Sequence, residues 1–168
     1  IISGSAAPGL SKDIFDQIIK TCKDKKADFV IDTSGQALRK AIESRPLLIK
    51  PNFDEISELF GIEFTSKEEI IPYGKKCLDM GAQYAIVSMG GDGALFFDGD
   101  NVYYAPAVKG VLVNSVGAGD SMLAGFVGSI KSGLEPLEAF KWSVASGTGT
   151  AFCQDIATKD QIDEIYKK

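Results

Sequence analysis

The sequence predicts an α/β fold, a mostly parallel sheet with an antiparallel hairpin at its edge. Three observations carry this. Short β-rich runs alternate with longer amphipathic ones, the pattern of βα units. Two apolar runs then flank Asp98-Gly99-Asp100-Asn101, which reads as a hairpin. Finally, 168 residues of which 45% are hydrophobic can fill one core. No repeat, low-complexity tract or linker interrupts them, so one compact unit is expected.

In chain order, the β-rich runs place strands at Ile1–Ser3, Asp28–Asp32, Leu47–Ile49 and Tyr84–Ser88, ahead of the hairpin. Ser11 precedes a helical face of Ile14, Ile18, Ile19 and Cys22, and Ser34 can cap a helix running through Ile42. Ser66 and Glu69 have the spacing of a capping box for a helix reaching Gly81, with a break or kink expected at Pro72. A helix is expected from Asp120 to Lys131, stopping near Gly133. Pro136 suits the first position of another, from Glu135 to about Phe152. Thr158 with Gln161 forms a second capping box, for a last helix to Lys168.

Composition excludes several classes of function. A net charge of -5 without a Lys/Arg-rich run argues against nucleic acid as a partner, since phosphate-backbone binding needs a basic face. With no histidine and three dispersed cysteines, neither a Cys/His zinc site nor histidine-based catalysis is expected. Unpaired thiols fit a reducing, cytoplasmic setting. No apolar run approaches the ~20 residues that span a membrane, and no leader is evident. The chain opens on Ile-Ile-Ser-Gly, within a strand and without methionine, so a fragment of a longer protein is expected.

The stretch Asn114-Ser-Val-Gly-Ala-Gly-Asp120 is the most informative. A dinucleotide fingerprint would need a third glycine where Met122 stands, and a Walker loop would need a lysine after the glycines. What remains is a Gly-Ala-Gly turn feeding a helix that begins with an acid. Asp120 could simply favour the helix dipole, typically worth ~0.3–1 kcal/mol. Alternatively, backbone N–H groups of Gly117, Ala118 and Gly119 could form an anion hole, with Asp120 as general base. Free aspartate is ionised at neutral pH, so such a base needs no histidine.

Two further stretches each follow a predicted strand. Lys50-Pro-Asn-Phe-Asp-Glu55 sets an amide and a carboxylate three residues apart, either to cap a helix start or to offer hard oxygen ligands to magnesium, often through water. Ser88-Met-Gly-Gly-Asp-Gly93 is either a tight turn into the hairpin or a place where a nucleotide approaches bare backbone. In open α/β sheets, ligands bind at the carboxyl ends of the strands, where these loops would lie.

Taken together, SGSAAPGL, KPNFDE, VSMGGDGA and VGAGDSMLAGF resemble the ribokinase-like, or PfkB-type, carbohydrate kinases, in family order and over essentially the whole chain. Valine before Gly-Ala-Gly-Asp and the Lys-Pro-Asn sequence resemble the sugar-phosphate branch, which includes 1-phosphofructokinase, tagatose-6-phosphate kinase and the minor 6-phosphofructokinase. The resemblance implies a three-layer α/β/α fold, ATP and Mg²⁺ as cofactors, and a sugar phosphate as the small-molecule partner. It implies that Asp120 is the base and that Gly117, Ala118 and Gly119 form the anion hole. Asn52 and Glu55 would organise magnesium and the phosphates, with Lys50 beside them. Ser88, Gly90, Gly91 and Gly93 would line the nucleotide groove. The small-residue run Ser143 to Ala151 would lie against adenine, with Ser146 and Gly147 closest, unless it serves only tight helix packing. Ser3, Gly4 and Ser5 match a loop near the sugar.

Two departures stand out. Asn114 and Ser115 replace the acid and threonine that many members carry ahead of the glycines, which bears on monovalent-cation binding. The family's amino-terminal part is also absent, roughly two-fifths or more of its length. It normally supplies most sugar contacts and a lid, through which homodimers can form. The isolated chain is therefore expected to lack useful catalysis. A non-catalytic sugar-phosphate sensor and an NAD-binding module are the rival readings. The retained Asp120 argues against the first, and the missing third glycine against the second.

Overall fold

The computed structural model describes residues 1–4, 11 and 13–168. Its strands are β1 (Ile2–Ser3), β2 (Val30–Asp32), β3 (Leu48–Ile49), β4 (Tyr84–Ser88), β5 (Ala94–Asp98) and β6 (Asn101–Ala105). They lie in the sheet in sequence order, β1 to β6. The pairs from β1 to β4 are parallel, with Ser3 opposite Asp32, Ile31 opposite Ile49 and Ile49 opposite Ala85. Only Gly99 and Asp100 separate β5 from its neighbour β6, and so short a connection returns the chain antiparallel. The predicted hairpin is therefore present. The helices are α1 (Ile14–Asp24), α2 (Gly35–Ile42), α3 (Phe53–Phe60), α4 (Lys67–Asp79), α5 (Ala118–Lys131), α6 (Pro136–Ala151) and α7 (Lys159–Tyr166).

By internal packing the chain forms two compact units, one of residues 1–88 and 96–102, the other of residues 89–95 and 103–168. In the first, Ile31, Leu48, Ile49, Ile56, Ile86, Phe96 and Phe97 are almost wholly removed from water. β3 and most of β4 are buried residue after residue, as parallel strands covered on both faces are. In the second, Leu123 and Phe126 of α5 and Ala139 and Phe140 of α6 form the core. Trp142 of α6 stacks on Tyr166 of α7 with centroids 4.1 Å apart.

Several local expectations change. α4 continues through Pro72, so of the break or kink expected there the break does not occur. A proline this close to the helix start forfeits one early hydrogen bond, and burial of Ile70, Gly74 and Cys77 anchors the rest. Ser66 makes no side-chain cap. Instead Glu69 accepts from the backbone N–H (2.8 Å) and hydroxyl (3.1 Å) of Thr65, which hold its carboxyl below the usual range. On α1 only Ile19 is fully buried, and Ile18 faces solvent. The Thr158–Gln161 box forms as expected, and its helix ends at Tyr166.

Two sites in the first unit yield checks. Burial pushes the Cys77 thiol up to about 12, which removes it from thiol chemistry at neutral pH. Gly74 faces Phe97 so closely that an added Cβ would stand 2.1 Å from the ring's Cζ. Gly74→Ala is therefore expected to destabilise by about 1–3 kcal/mol despite alanine's better helix propensity, measured as a lower urea midpoint. Among the described residues, no helix is long and apolar enough to cross a membrane.

Candidate active site

In the first unit, the carboxyl ends of four parallel strands bring polar residues into a row. Gly4 N–H donates to the Asp32 carbonyl at 2.8 Å, extending the pairing of β1 with β2. Lys50, just past β3, is buried and directs its ammonium at Asp32, with Nζ 3.3 Å from Oδ2. Beyond it, Asn52 bridges in parallel to Ser88, whose N–H donates to the Pro51 carbonyl at 3.0 Å. Ser3, Gly4, Lys50, Asn52 and Ser88 thus share one edge, and Asp32 joins them. The sequence reading passed over Asp32. The available signal was an acid at the end of an apolar strand with a lysine ending the next, a pair that a parallel register brings together. Ser5 lies outside the described residues.

Asn52 and Glu55 form a reciprocal capping box on α3. Asn52 Oδ1 accepts from Glu55 N–H, and Glu55 Oε2 accepts from Asn52 N–H, both at 2.8 Å. The helix start therefore uses one oxygen of each side chain, which leaves Glu55 Oε1 for another partner. Among the described residues, no group of three or more acidic, cysteine or histidine side chains could hold a metal ion. A single half-buried carboxylate fits magnesium, which keeps several waters and is bound mostly by substrate phosphates with one or two carboxylates.

The second unit holds the two glycine loops. Gly90–Asp92 is a single 3-10 turn, closed by Met89 N–H on the Gly93 carbonyl at 2.8 Å. The glycines there differ in kind. Gly93 adopts φ 87° and ψ −143°, and an added Cβ would lie 2.1 Å from the Ala105 carbonyl oxygen, so the fold itself demands glycine. At Gly91 an added Cβ meets no atom within 4 Å, and nothing in the protein's own packing explains its missing side chain.

The loop of residues 109–116 leads into α5 with Val111 and Val116 each 79% exposed. Gly117, left-handed at φ 82°, turns the chain into the helix, whose first three residues are Ala118, Gly119 and Asp120. The helix therefore starts two residues before the expected position, and the acid occupies its third position. The left-handed glycine lets the next residue enter helical geometry at once. The first turn of any helix has N–H groups without internal partners, the property that lets helix starts attract anions. The N–H of Ala118 already donates to the Ser115 carbonyl at 3.2 Å. Asp120 is exposed beside these groups.

Ser146 and Gly147 lie in the contact between α5 and α6. A Cβ on Gly147 would stand 2.4 Å from Met122 Cγ, and one on Gly125 would stand 2.5 Å from Ser146 Oγ. Ser146 is buried and donates its hydroxyl to the Trp142 carbonyl at 2.8 Å. These contacts give Ser146 and Gly147 a packing role where α6 approaches α5.

The first unit thus carries a row of polar groups at its strand ends and the second a glycine-led helix start with an adjacent acid, and comparison with known proteins gives the family. The sequence profile described as "pfkB family carbohydrate kinase" matches residues 1–161, and the chain belongs to that family. It is 47% identical to 1-phosphofructokinase of Bacillus subtilis over 165 residues, covering 98% of this chain and 54% of that protein. It is 37% identical to D-tagatose-1-phosphate kinase of Bacillus licheniformis, covering 97% of this chain and 54% of that protein. The chain thus spans about half the length of these relatives. Among solved structures, phosphofructokinase-2 of Escherichia coli in complex with substrates and products superposes with a TM-score of 0.90 at 26% identity, covering 99% of this chain and 58% of that one. Arabidopsis thaliana ribokinase shares the fold alone, at 19% identity and a TM-score of 0.76, over 90% of this chain and 51% of that one. The fold is ribokinase-like α/β.

Proposed function

We propose that this chain carries the ATP-binding and catalytic portion of a sugar-phosphate kinase, which converts fructose 1-phosphate or tagatose 6-phosphate to the bisphosphate. The observation that carries the reading is the left-handed Gly117 opening α5 three residues ahead of Asp120. The relatives named above support the substrate class, and the Bacillus subtilis relative makes fructose 1-phosphate the first acceptor to test.

Asp120 accepts the proton of the acceptor hydroxyl as that oxygen bonds to the γ-phosphorus. The bond to the β,γ-bridging oxygen breaks, and ADP leaves. Backbone N–H groups at Gly117–Gly119 stabilise the charge spreading over the transferring oxygens. Base and amides therefore act on opposite partners of one reaction, which is why the acid follows the glycines. Positioning supplies much of the remaining rate. Glu55 Oε1, with the Asn52 amide beside it, would hold hydrated magnesium, which when bound neutralises phosphate charge. Lys50, paired with Asp32, would stand beside the phosphates at the strand ends. Gly91, exposed and not required as glycine by the packing, would lie along the nucleotide. Ser146 and Gly147 act indirectly, by setting how closely α6 approaches α5. Ser3 and Gly4 belong to the sugar side.

Glutamine also completes a capping box, so Glu55→Gln separates the two roles of this residue. The thermal midpoint is expected to hold within about 2 °C, while the magnesium concentration for half-maximal rate rises several-fold. An unchanged magnesium requirement would remove Glu55 from the metal site. The reading as a whole is tested by following γ-phosphoryl transfer from ATP to fructose 1-phosphate and tagatose 6-phosphate with a full-length protein carrying these residues. Absence of transfer to any ketose phosphate would refute it.

A further inference from the structure

The phosphate loop is tied on both sides to one place, the carboxyl end of α6. Ahead of the glycines, the N–H groups of Val113 and Asn114 both donate to the Ala151 carbonyl, at 2.9 and 3.2 Å. The Asn114 side chain adds a two-sided clamp: Nδ2 donates to the Gln154 carbonyl at 3.1 Å, and Oδ1 accepts from Val116 N–H at 3.0 Å. Behind the glycines, the buried Thr150 hydroxyl donates to Ser121 Oγ at 2.9 Å and accepts from Ala157 N–H at 3.2 Å. Ser121 N–H in turn closes on the Gly117 carbonyl at 2.9 Å. Side-chain burial does not hold this segment, because Val111, Leu112, Val113 and Val116 are 51–79% exposed. Its position depends on these hydrogen bonds.

We propose that Asn114 and Thr150 are positioning residues, which fix the Gly117–Gly119 amides and Asp120 against the end of α6 so that base and anion hole stay in register. The proposal rests on the kinase reading above. Small displacements of a reacting group are costly, about 10²-fold in rate for ~1 Å. A loop held by a few polar contacts is where such displacement would arise.

The chemistry of the clamp is specific to an amide. Nδ2 meets an acceptor and Oδ1 meets a donor, so neither aspartate nor alanine reproduces it. Aspartate would keep the bond from Val116 but set a carboxylate oxygen against the Gln154 carbonyl. Two acceptors facing each other repel. Asn114→Asp is therefore expected to loosen the clamp on its Gln154 side.

The test uses full-length enzyme carrying these residues. Asn114→Ala should lower kcat at least tenfold while the KM for ATP moves less than threefold. Asn114→Asp, which keeps the size of the side chain and the acceptor for Val116 but loses the donor to Gln154, should also lower kcat at least tenfold. Thr150→Val should lower kcat in the same way, whereas Thr150→Ser, which keeps the hydroxyl, should stay near wild type. Should burial of Thr150 keep its variant from folding, the Asn114 variants, nearer the surface, carry the test alone. A kcat within twofold of wild type in Asn114→Ala or in Asn114→Asp overturns the proposal. If the wild-type protein transfers no phosphoryl group, the kinase reading falls separately. Amide exchange then decides the clamp: Val116 N–H should exchange at least tenfold faster in Asn114→Ala, and unchanged exchange overturns it.

Discussion

Asp120→Asn is expected to lower turnover by about 10²–10⁴-fold, the range that a positioned general base contributes, while ATP affinity changes little. The substitution keeps the shape of the side chain and removes its ability to take a proton. It also separates the two readings that the sequence leaves open. Asp120 is the third residue of α5, where an acid favours the helix dipole. If that were its whole role, Asp120→Asn would cost only about 0.3–1 kcal/mol of stability and leave kcat intact. Single-turnover transfer from ATP together with a thermal melt distinguishes the two. A large fall in rate with a small fall in midpoint supports catalysis, and the reverse supports capping.

Gly93→Ala is expected to be the most destabilising single change among the site glycines. Its φ of 87° and ψ of −143° lie close to a region that only glycine occupies comfortably, at a cost of about 1–3 kcal/mol for other residues. The new Cβ would also stand 2.1 Å from the Ala105 carbonyl oxygen, 2.9 Å from Ala107 N and 3.0 Å from Pro106 C. All three are backbone atoms and cannot swing aside. The expected loss is about 3 kcal/mol or more, a fall in Tm of about 6–12 °C for a chain of this size. Gly91→Ala is the matched control, because its Cβ enters open space. Its Tm should stay within about 2 °C of wild type, and any loss should fall on ATP affinity. Equal melting of the two variants would contradict the distinction between them.

That contrast shows how the sequence could reveal a loop without assigning its glycines. Gly90, Gly91 and Gly93 are identical as letters. What separates them is the passage of β6's end over Gly93, a contact between residues twelve positions apart. Ser146 and Gly147 present the same difficulty, since a run of small residues can line a ligand or let two helices approach. Only the distances to Met122 and Gly125 reveal the packing.

Features governed by neighbouring residues were read more reliably. Pro136 begins α6, Thr158 and Gln161 build their box, and Tyr84–Ser88 is a strand with the bounds expected. Local rules failed where a competing partner was available. Thr65 takes the Glu69 carboxylate that Ser66 was expected to share, and the buried face of α4 outweighs the cost of Pro72. The start of α5 shifted because a left-handed Gly117 makes Ala118 and Gly119 helical, whereas the sequence reading treated all three as a turn. The ion pair of Lys50 with Asp32 was missed because it depends on strand register, which motif spacing does not contain.

The central claim is that the Asp120 carboxylate and the Gly117–Gly119 amides serve one reacting pair. The most direct measurement is a crystal structure of the full-length protein with fructose 1-phosphate and a non-hydrolysable ATP analogue. The expected result is an Asp120 oxygen within about 3.2 Å of the acceptor hydroxyl, with the γ-phosphate seated on the α5 amides. A γ-phosphate bound elsewhere, or an Asp120 carboxylate turned away from the hydroxyl, would contradict it.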